Sequence, residues 1–266
     1  MTEFSTVSYE IDEGVAVIKL NRPESRNSIN HTMRIELRQA VSRANNADEV
    51  RVVVLAGEGK GFCAGADISE FSGENPEIRE PGFITHVIRT EYNPVASAIA
   101  ESTKPFICAT QGAVAGIGAS YALACDLLVM ADDAFIYSPF GAISLVPDGG
   151  LHWQLQRYLG SKKAYEFIVE SQRLTAQQCL ELGMANRVVP EKELLVNALS
   201  WAKSLTKRAP LTLQYSKQML REVSAMNLLQ CMDREGQLQD EPFQSEDFRE
   251  GVRAFREKCE PNFKGK

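Results

Sequence analysis

The sequence predicts an α/β fold with a helical region at its C-terminal end. Two near-continuous apolar runs, Arg51-Val52-Val53-Val54-Leu55-Ala56 and Asp126-Leu127-Leu128-Val129-Met130-Ala131, read as strands buried on both faces. Helical patterns alternate with such strands, which implies βαβ units. From Leu194 onward the pattern is helical only, through Trp201, Leu205, Leu213, Met219 and Leu229. A soft boundary therefore falls near residue 200, with an α/β core over 1–200 and a helical region over 201–266.

Taken in order, residues 7–20 read as a hairpin. Val7-Ser8-Tyr9-Glu10-Ile11 and Val15-Ala16-Val17-Ile18-Lys19-Leu20 are the strands, and Asp12-Glu13-Gly14 is the turn. A helical pattern covers about 32–45, with Met33, Ile35, Leu37 and Val41 as its apolar positions. After the strand at 51–56 the chain turns polar from Ser69 to about Pro81, and Gly73, Pro76, Pro81 and Gly82 mark this stretch as a lid. A helix over about 83–102 leads to the strand Pro105-Phe106-Ile107-Cys108-Ala109. A short helix over about 119–124 precedes the strand at 126–131, and Ala134-Phe135-Ile136-Tyr137 is one more short strand.

A chain of 266 residues has room for one α/β domain with an appended helical piece, and 44% hydrophobic with 24% charged residues is an ordinary globular balance. The net charge of -6 and the lack of a basic stripe argue against a nucleic-acid surface. An anionic ligand must then be met by local Lys, Arg and backbone N–H groups. No apolar run reaches roughly 18 residues, so no membrane span is expected. Met1-Thr2-Glu3-Phe4-Ser5 lacks the basic and apolar regions of a signal peptide, and a cytoplasmic location is the expectation. The six cysteines are widely spaced without a Cys-x-x-Cys pair and the three histidines lie far apart, so neither disulfides nor a metal site is expected.

Three turns carry the chemistry. Phe62-Cys63-Ala64-Gly65-Ala66-Asp67 and Ala115-Gly116-Ile117-Gly118-Ala119-Ser120 are glycine-rich turns at the ends of apolar strands. Two such turns can present backbone N–H groups to one oxygen and stabilise an enolate without a charged side chain. The third, Pro147-Asp148-Gly149-Gly150, bears an acid able to move a proton. Pro-Asp-Gly is also ordinary turn chemistry.

Together these residues resemble the crotonase (enoyl-CoA hydratase/isomerase) superfamily. The matching segments run nearly end to end: Leu20-Asn21-Arg22-Pro23 with Asn27-Ser28, the segment 61–67, Lys104-Pro105, Gly116-Ile117-Gly118, Ala124-Cys125-Asp126, the segment 145–150, Gly160, 247–255 and 263–266. The resemblance implies a spiral of ββα units with a C-terminal helical oligomerisation region. It also implies an acyl-CoA thioester as substrate, assembly as a homotrimer or dimer of trimers, and no cofactor beyond the coenzyme A of the substrate.

Residue by residue, it places oxyanion donors on the N–H groups of Ala64 and Ile117, the latter at a helix start where the dipole favours negative charge. Coenzyme A contacts fall on Arg26, on the loop Ala66, Asp67 and Ile68 beside Gly116, and on the tail residues Phe263 and Lys266. His86 and Glu91 lie on the next helix, and Glu74 to Glu80 reads as a solvated charge run.

The chain departs from the family's hydratases, which hold water between two glutamates. The aligned positions are Ser120 and Phe140, and neither takes a proton from water at neutral pH. Asp148 remains, where family isomerases hold a catalytic aspartate. One carboxylate suffices to carry a proton along a dienolate, so the count points to an enoyl-CoA isomerase. Desolvation by Phe140, Val146 or Trp153 would raise its pKa toward a useful range. The alternatives are a hydratase using a water held by Asp148 alone and a non-catalytic acyl-CoA-binding protein. A dinucleotide site at Gly116-Ile117-Gly118 fails for want of the third glycine.

Overall fold

The computed structural model describes residues 4–71 and 76–266, with no side chain described for Glu77. Nine strands and ten helices follow in chain order among these residues. Val7–Asp12 (β1) and Val15–Leu20 (β2) form the expected hairpin, paired Val7↔Leu20 through Asp12↔Val15. His31–Asn46 (α1) returns the chain to Val52–Gly57 (β3), parallel to β2. The helical stretch that follows comprises Phe83–Val87 (α2), a π-helical turn Ile88–Tyr92, and Asn93–Ala100 (α3).

Two ββα repeats come next. Phe106–Thr110 (β4), Ala113–Ala115 (β5) and Ile117–Ala124 (α4) make the first; Leu127–Ala131 (β6), Phe135–Tyr137 (β7) and Leu151–Val169 (α5) make the second. Arg173–Thr175 (β8), Ala176–Glu181 (α6) and Arg187–Val189 (β9) follow, then Leu194–Thr206 (α7), Pro210–Glu222 (α8), Leu228–Gln244 (α9) and Glu246–Glu257 (α10).

Each repeat gives its longer strand to one sheet and its short strand to another. The large sheet runs β1-β2-β3-β4-β6-β9 and the small one β5-β7-β8. Cys63 bridges Val114 of β5, so the segment after β3 joins the same spiral. β3 and β4 are buried almost throughout, as near-continuous Val, Ile and Leu runs require. The crotonase-type spiral is therefore the observed fold.

The core corrects one expectation and moves another. In α1 the buried face is Met33, Arg34, Leu37, Ala40, Val41 and Ala44, while Ile35 is exposed; a charged residue takes the inward place that apolarity assigns to its neighbour. Residue 200 lies inside α7, which packs on β3, β4 and β6 through Ala198 and Ala202. α8 is fastened to the core by Lys217, whose Nζ donates to Asp126 at 2.8 Å and to the carbonyls of Ile99 and Lys104 at 2.8 and 3.2 Å.

Candidate active site

The three turns meet. In the first, Cys63 N–H donates to Ala113 at 3.0 Å and Ala115 N–H to Cys63 at 2.9 Å, laying the turn along β5. A Cβ added to Gly116 would lie 3.4 Å from the Gly65 Cα, so the glycines let two backbones touch. Gly116 itself sits at φ 54 and ψ -128, a conformation suited only to glycine, and this turns the chain into α4. The third turn docks on α4: a Cβ on Gly149 would stand 2.8 Å from the Ser120 Cβ, and the Ser120 Oγ donates to the Asp148 carbonyl at 2.9 Å.

Backbone accounting corrects one predicted donor. The Ala64 N–H is taken, donating to the Arg26 carbonyl at 2.9 Å. Arg26 and Asn27 both hold positive φ (50 and 55), which aims that carbonyl at the turn. Buried Asn27 anchors the arrangement by donating to Glu58 and Gly61 at 2.8 and 2.9 Å. Ala66 differs. Gly65 C=O and Asp67 N–H pair with Ile29 at 2.8 and 3.1 Å, so the Ala66 N–H faces the other way and donates to no described residue. Nor does the Ile117 N–H, at the first position of α4. Two unspent donors thus stand on abutting turns, one with the helix dipole behind it.

Asp148 is the acid of the site. Its Oδ1 is buried without a hydrogen-bond partner among the described residues. Burial pushes its pKa up to about 6, opposed only by its own backbone N–H. The wall is not the one expected. Val146 is 74% exposed and Trp153 49% exposed in the single chain; both line a separate cavity of about 750 Å³ with Leu145, Tyr165 and Val169. Asp148 is desolvated instead by the packing of its turn on Ile117 and Ser120. Phe140 is buried, with its ring edge near Gly116, and Ser138 is buried with its Oγ unpartnered among the described residues.

The remaining predicted contacts divide. Arg26, Ala66, Asp67 and Ile68 border the first turn, and the side chains of Arg26 and Ile68 are exposed. The Asp67 carboxylate is already occupied by Arg22 at 2.9 Å and the Ser69 hydroxyl at 2.6 Å, which hold it below the usual carboxylate range. Phe263 and Lys266 lie in the coil after α10, which folds back on that helix. The buried Asp247 carboxylate accepts from the N–H groups of Lys264 and Gly265 at 2.6 and 2.7 Å, and the Phe263 ring packs on Gly251. His86 is exposed and Glu91 pairs with Arg34. Residues 72–75, including Glu74 and most of the polar centre of the predicted lid, lie outside the described residues.

The Enoyl-CoA hydratase/isomerase family model matches residues 10–266. The chain belongs to the enoyl-CoA hydratase/isomerase family. It is 34% identical to 1,2-epoxyphenylacetyl-CoA isomerase of Escherichia coli over 100% of both chains. It is also 29% identical to 2,3-dehydroadipyl-CoA hydratase of the same organism, over 95% of this chain and 96% of that one. Among solved structures, an enoyl-CoA hydratase from Polaromonas superposes with a TM-score of 0.90 at 31% identity, covering 97% of this chain and 99% of the other. Family members carry both hydratase and isomerase names, so the distinction between the two rests on the site.

Two features escaped the sequence reading. The free N–H at Ala66 was legible only as one of several in the loop, because its release depends on the long-range pairing with Ile29. The cluster of buried Arg34 and Tyr92 with half-buried Glu70 and Glu91 left no signal but a charge at an inward helix position.

Proposed function

We propose that the protein shifts a C=C bond of an enoyl-CoA, with Asp148 carrying the proton and the N–H groups of Ile117 and Ala66 stabilising the thioester oxygen. The observation that carries this reading is Asp148 itself: a buried carboxylate oxygen with no partner among the described residues, and a pKa of about 6. That value leaves the group ionised at neutral pH yet basic enough to accept a carbon-bound proton once the neighbouring oxygen is stabilised. The carboxylate removes a proton from C2 of a 3-enoyl thioester. The electron pair spreads into a dienolate whose oxygen meets the two N–H groups, and the same carboxyl returns the proton at C4. Atoms and charge balance without water. Each donor supplies about 2.7–4 kcal/mol of transition-state stabilisation. The thioester is the electron sink, so this step calls on no cofactor beyond the coenzyme A of the substrate.

Hydration would require a second group to hold and split water. Ser120 is spent on the Asp148 carbonyl and Phe140 is apolar, which favours isomerisation. The test is absorbance of the conjugated thioester after mixing with trans-3-enoyl-CoA or trans-2-enoyl-CoA. A rise with the first, lost in Asp148→Asn, supports the reading; a fall with the second contradicts it.

A further inference from the structure

Arg34 is a cation set into the core. It shares the buried face of α1 with Met33 and Leu37 and is 5% exposed. Its Nη1 donates to Glu70 at 2.8 Å and its Nε to Glu91 at 2.5 Å, and Nη1 also reaches the Tyr92 hydroxyl at 3.2 Å. The guanidinium lies 5.9 Å from the Phe71 ring centroid and 5.1 Å from that of Tyr92. Desolvating an ion is expensive, and well-packed apolar residues of similar size often serve stability as well. What the ion adds is direction, because a planar fork of donors constrains its partners in angle as well as distance.

Glu70 passes that direction to the first glycine turn. Both oxygens of its carboxylate are bound to the first turn of α1, Oε2 by Arg34 and Oε1 by the His31 N–H at 2.7 Å. Asn30 caps the same helix end, accepting from the Met33 N–H at 2.9 Å. Glu70 also closes the 3-10 turn Ile68–Phe71, its N–H donating to the Asp67 carbonyl at 3.2 Å. The Asp67 N–H donates to Ile29 at 3.1 Å, and the Ile29 N–H to Gly65 at 2.8 Å. Residues 65 and 67 are thus tied to residue 29, and residue 70 to residues 31 and 34. Ala66 lies inside this strip, so the orientation of its amide follows from how the strip is laid against the start of α1. Glu70 is the clasp at the far end of the strip, and Arg34 holds the clasp.

We infer that Arg34 is a positioning residue: by holding Glu70 it fixes residues 65–70 against α1 and sets the direction of the Ala66 N–H. The inference rests on the assignment of that N–H as an oxyanion donor in the proposed function and not on the isomerisation.

The test is the infrared carbonyl stretch of bound hexanoyl-CoA carrying carbon-13 at its thioester carbon, a saturated ligand that cannot isomerise. An N–H bonded to the thioester oxygen polarises the C=O bond and lowers its frequency. In the unmodified protein the frequency should fall on binding. Arg34→Met should lose a large part of that fall but not all of it, since the Ile117 N–H keeps its place at the start of α4. In step, kcat for a trans-3-enoyl-CoA should drop about 10- to 100-fold while KM moves far less, because a misplaced oxyanion donor is felt in the transition state. Glu70→Gln, at a side chain 29% exposed, should move both readouts in the same direction by less, and it carries the test if Arg34→Met does not fold. An unmoved carbonyl frequency in whichever variant folds, even one with a lowered melting temperature, would mark a structural role and overturn the inference. So would a loss confined to KM. No fall in the unmodified protein would overturn the oxyanion assignment and the inference with it. A fall that depends on Arg34 in a protein that isomerises no 3-enoyl-CoA would sink the isomerase reading and leave Arg34 in its role.

Discussion

Replacing Asp148 by Asn should stabilise the protein at neutral pH while removing its activity. The folded-state pKa of about 6 stands against an ordinary value of 3.8, a rise of roughly two units caused by burial. At about 1.36 kcal/mol per unit, ionising this side chain costs the folded state up to about 3 kcal/mol, an upper bound because the residue keeps some exposure. The sign follows from proton counting. Between about pH 4 and pH 6 the folded state holds a proton that the unfolded chain has lost, so stability declines as pH rises through the folded pKa. Asn, neutral and of the same shape, escapes that decline. Melting temperatures of the two proteins at one fixed protein concentration should coincide near pH 4 and separate by up to ~5 °C near pH 8, with the variant higher. Equal stability near pH 8 would refute the desolvation argument. A less stable variant would mean that the carboxylate is a structural cap of the 147–150 turn.

Three further outcomes follow from the same geometry. Gly149→Ala places a Cβ 2.8 Å from that of Ser120 at a φ of +59, so the Asp148 turn must lift from α4; kcat should fall at least ~100-fold, with about 1–3 kcal/mol lost in denaturant unfolding. Ile117→Pro removes one oxyanion donor at the first helical position, where proline is otherwise tolerated, and should lower kcat by about 100- to 1,000-fold; unchanged kcat would exclude this N–H from the oxyanion site. Lys217→Met leaves Asp126, which burial already pushes toward its neutral form, without its partner, and chemical denaturation should show a loss of about 3–5 kcal/mol; a loss under ~1 kcal/mol would mean that the pair does not fasten α8 to the core.

Legibility differed between the two halves of the fold. β3, β4 and β6 were plain in the sequence because strands covered on both sides must be apolar along their length, and the hairpin because Asp12-Glu13-Gly14 marks its turn. α5 was not. Its buried residues Leu151 and Leu155 fall out of phase with Ala164, Phe167 and Ile168, because Gly160 breaks the helix at φ 69 and resets the rotation. A periodicity test spanning the break averages two stripes into none. β5, β8 and β9 are three residues each, too short for an alternating pattern to register.

At the site, Asp148 and the glycine turns could be read from residue type and order. The assignment of the first oxyanion donor could not. Choosing between Ala64 and Ala66 depends on which amide is already bonded, and that is settled by Arg26 and Ile29, distant in sequence and brought close only by folding. The same holds for Asp67, whose carboxylate looked available until Arg22 and Ser69 occupied it. Burial of Arg34 ran against every local cue, because its compensation comes from Glu70, Glu91 and Tyr92 on later segments.

The central claim is that a single carboxylate moves a proton and no water enters the product. The direct measurement is the mass of the product formed from a trans-3-enoyl-CoA in water enriched in oxygen-18. A conjugated product carrying no oxygen-18 and one isomeric in mass with the substrate is the predicted result. A product heavier by one labelled water would contradict it, and would return the two positions held by Ser120 and Phe140 to the question of how that water is held.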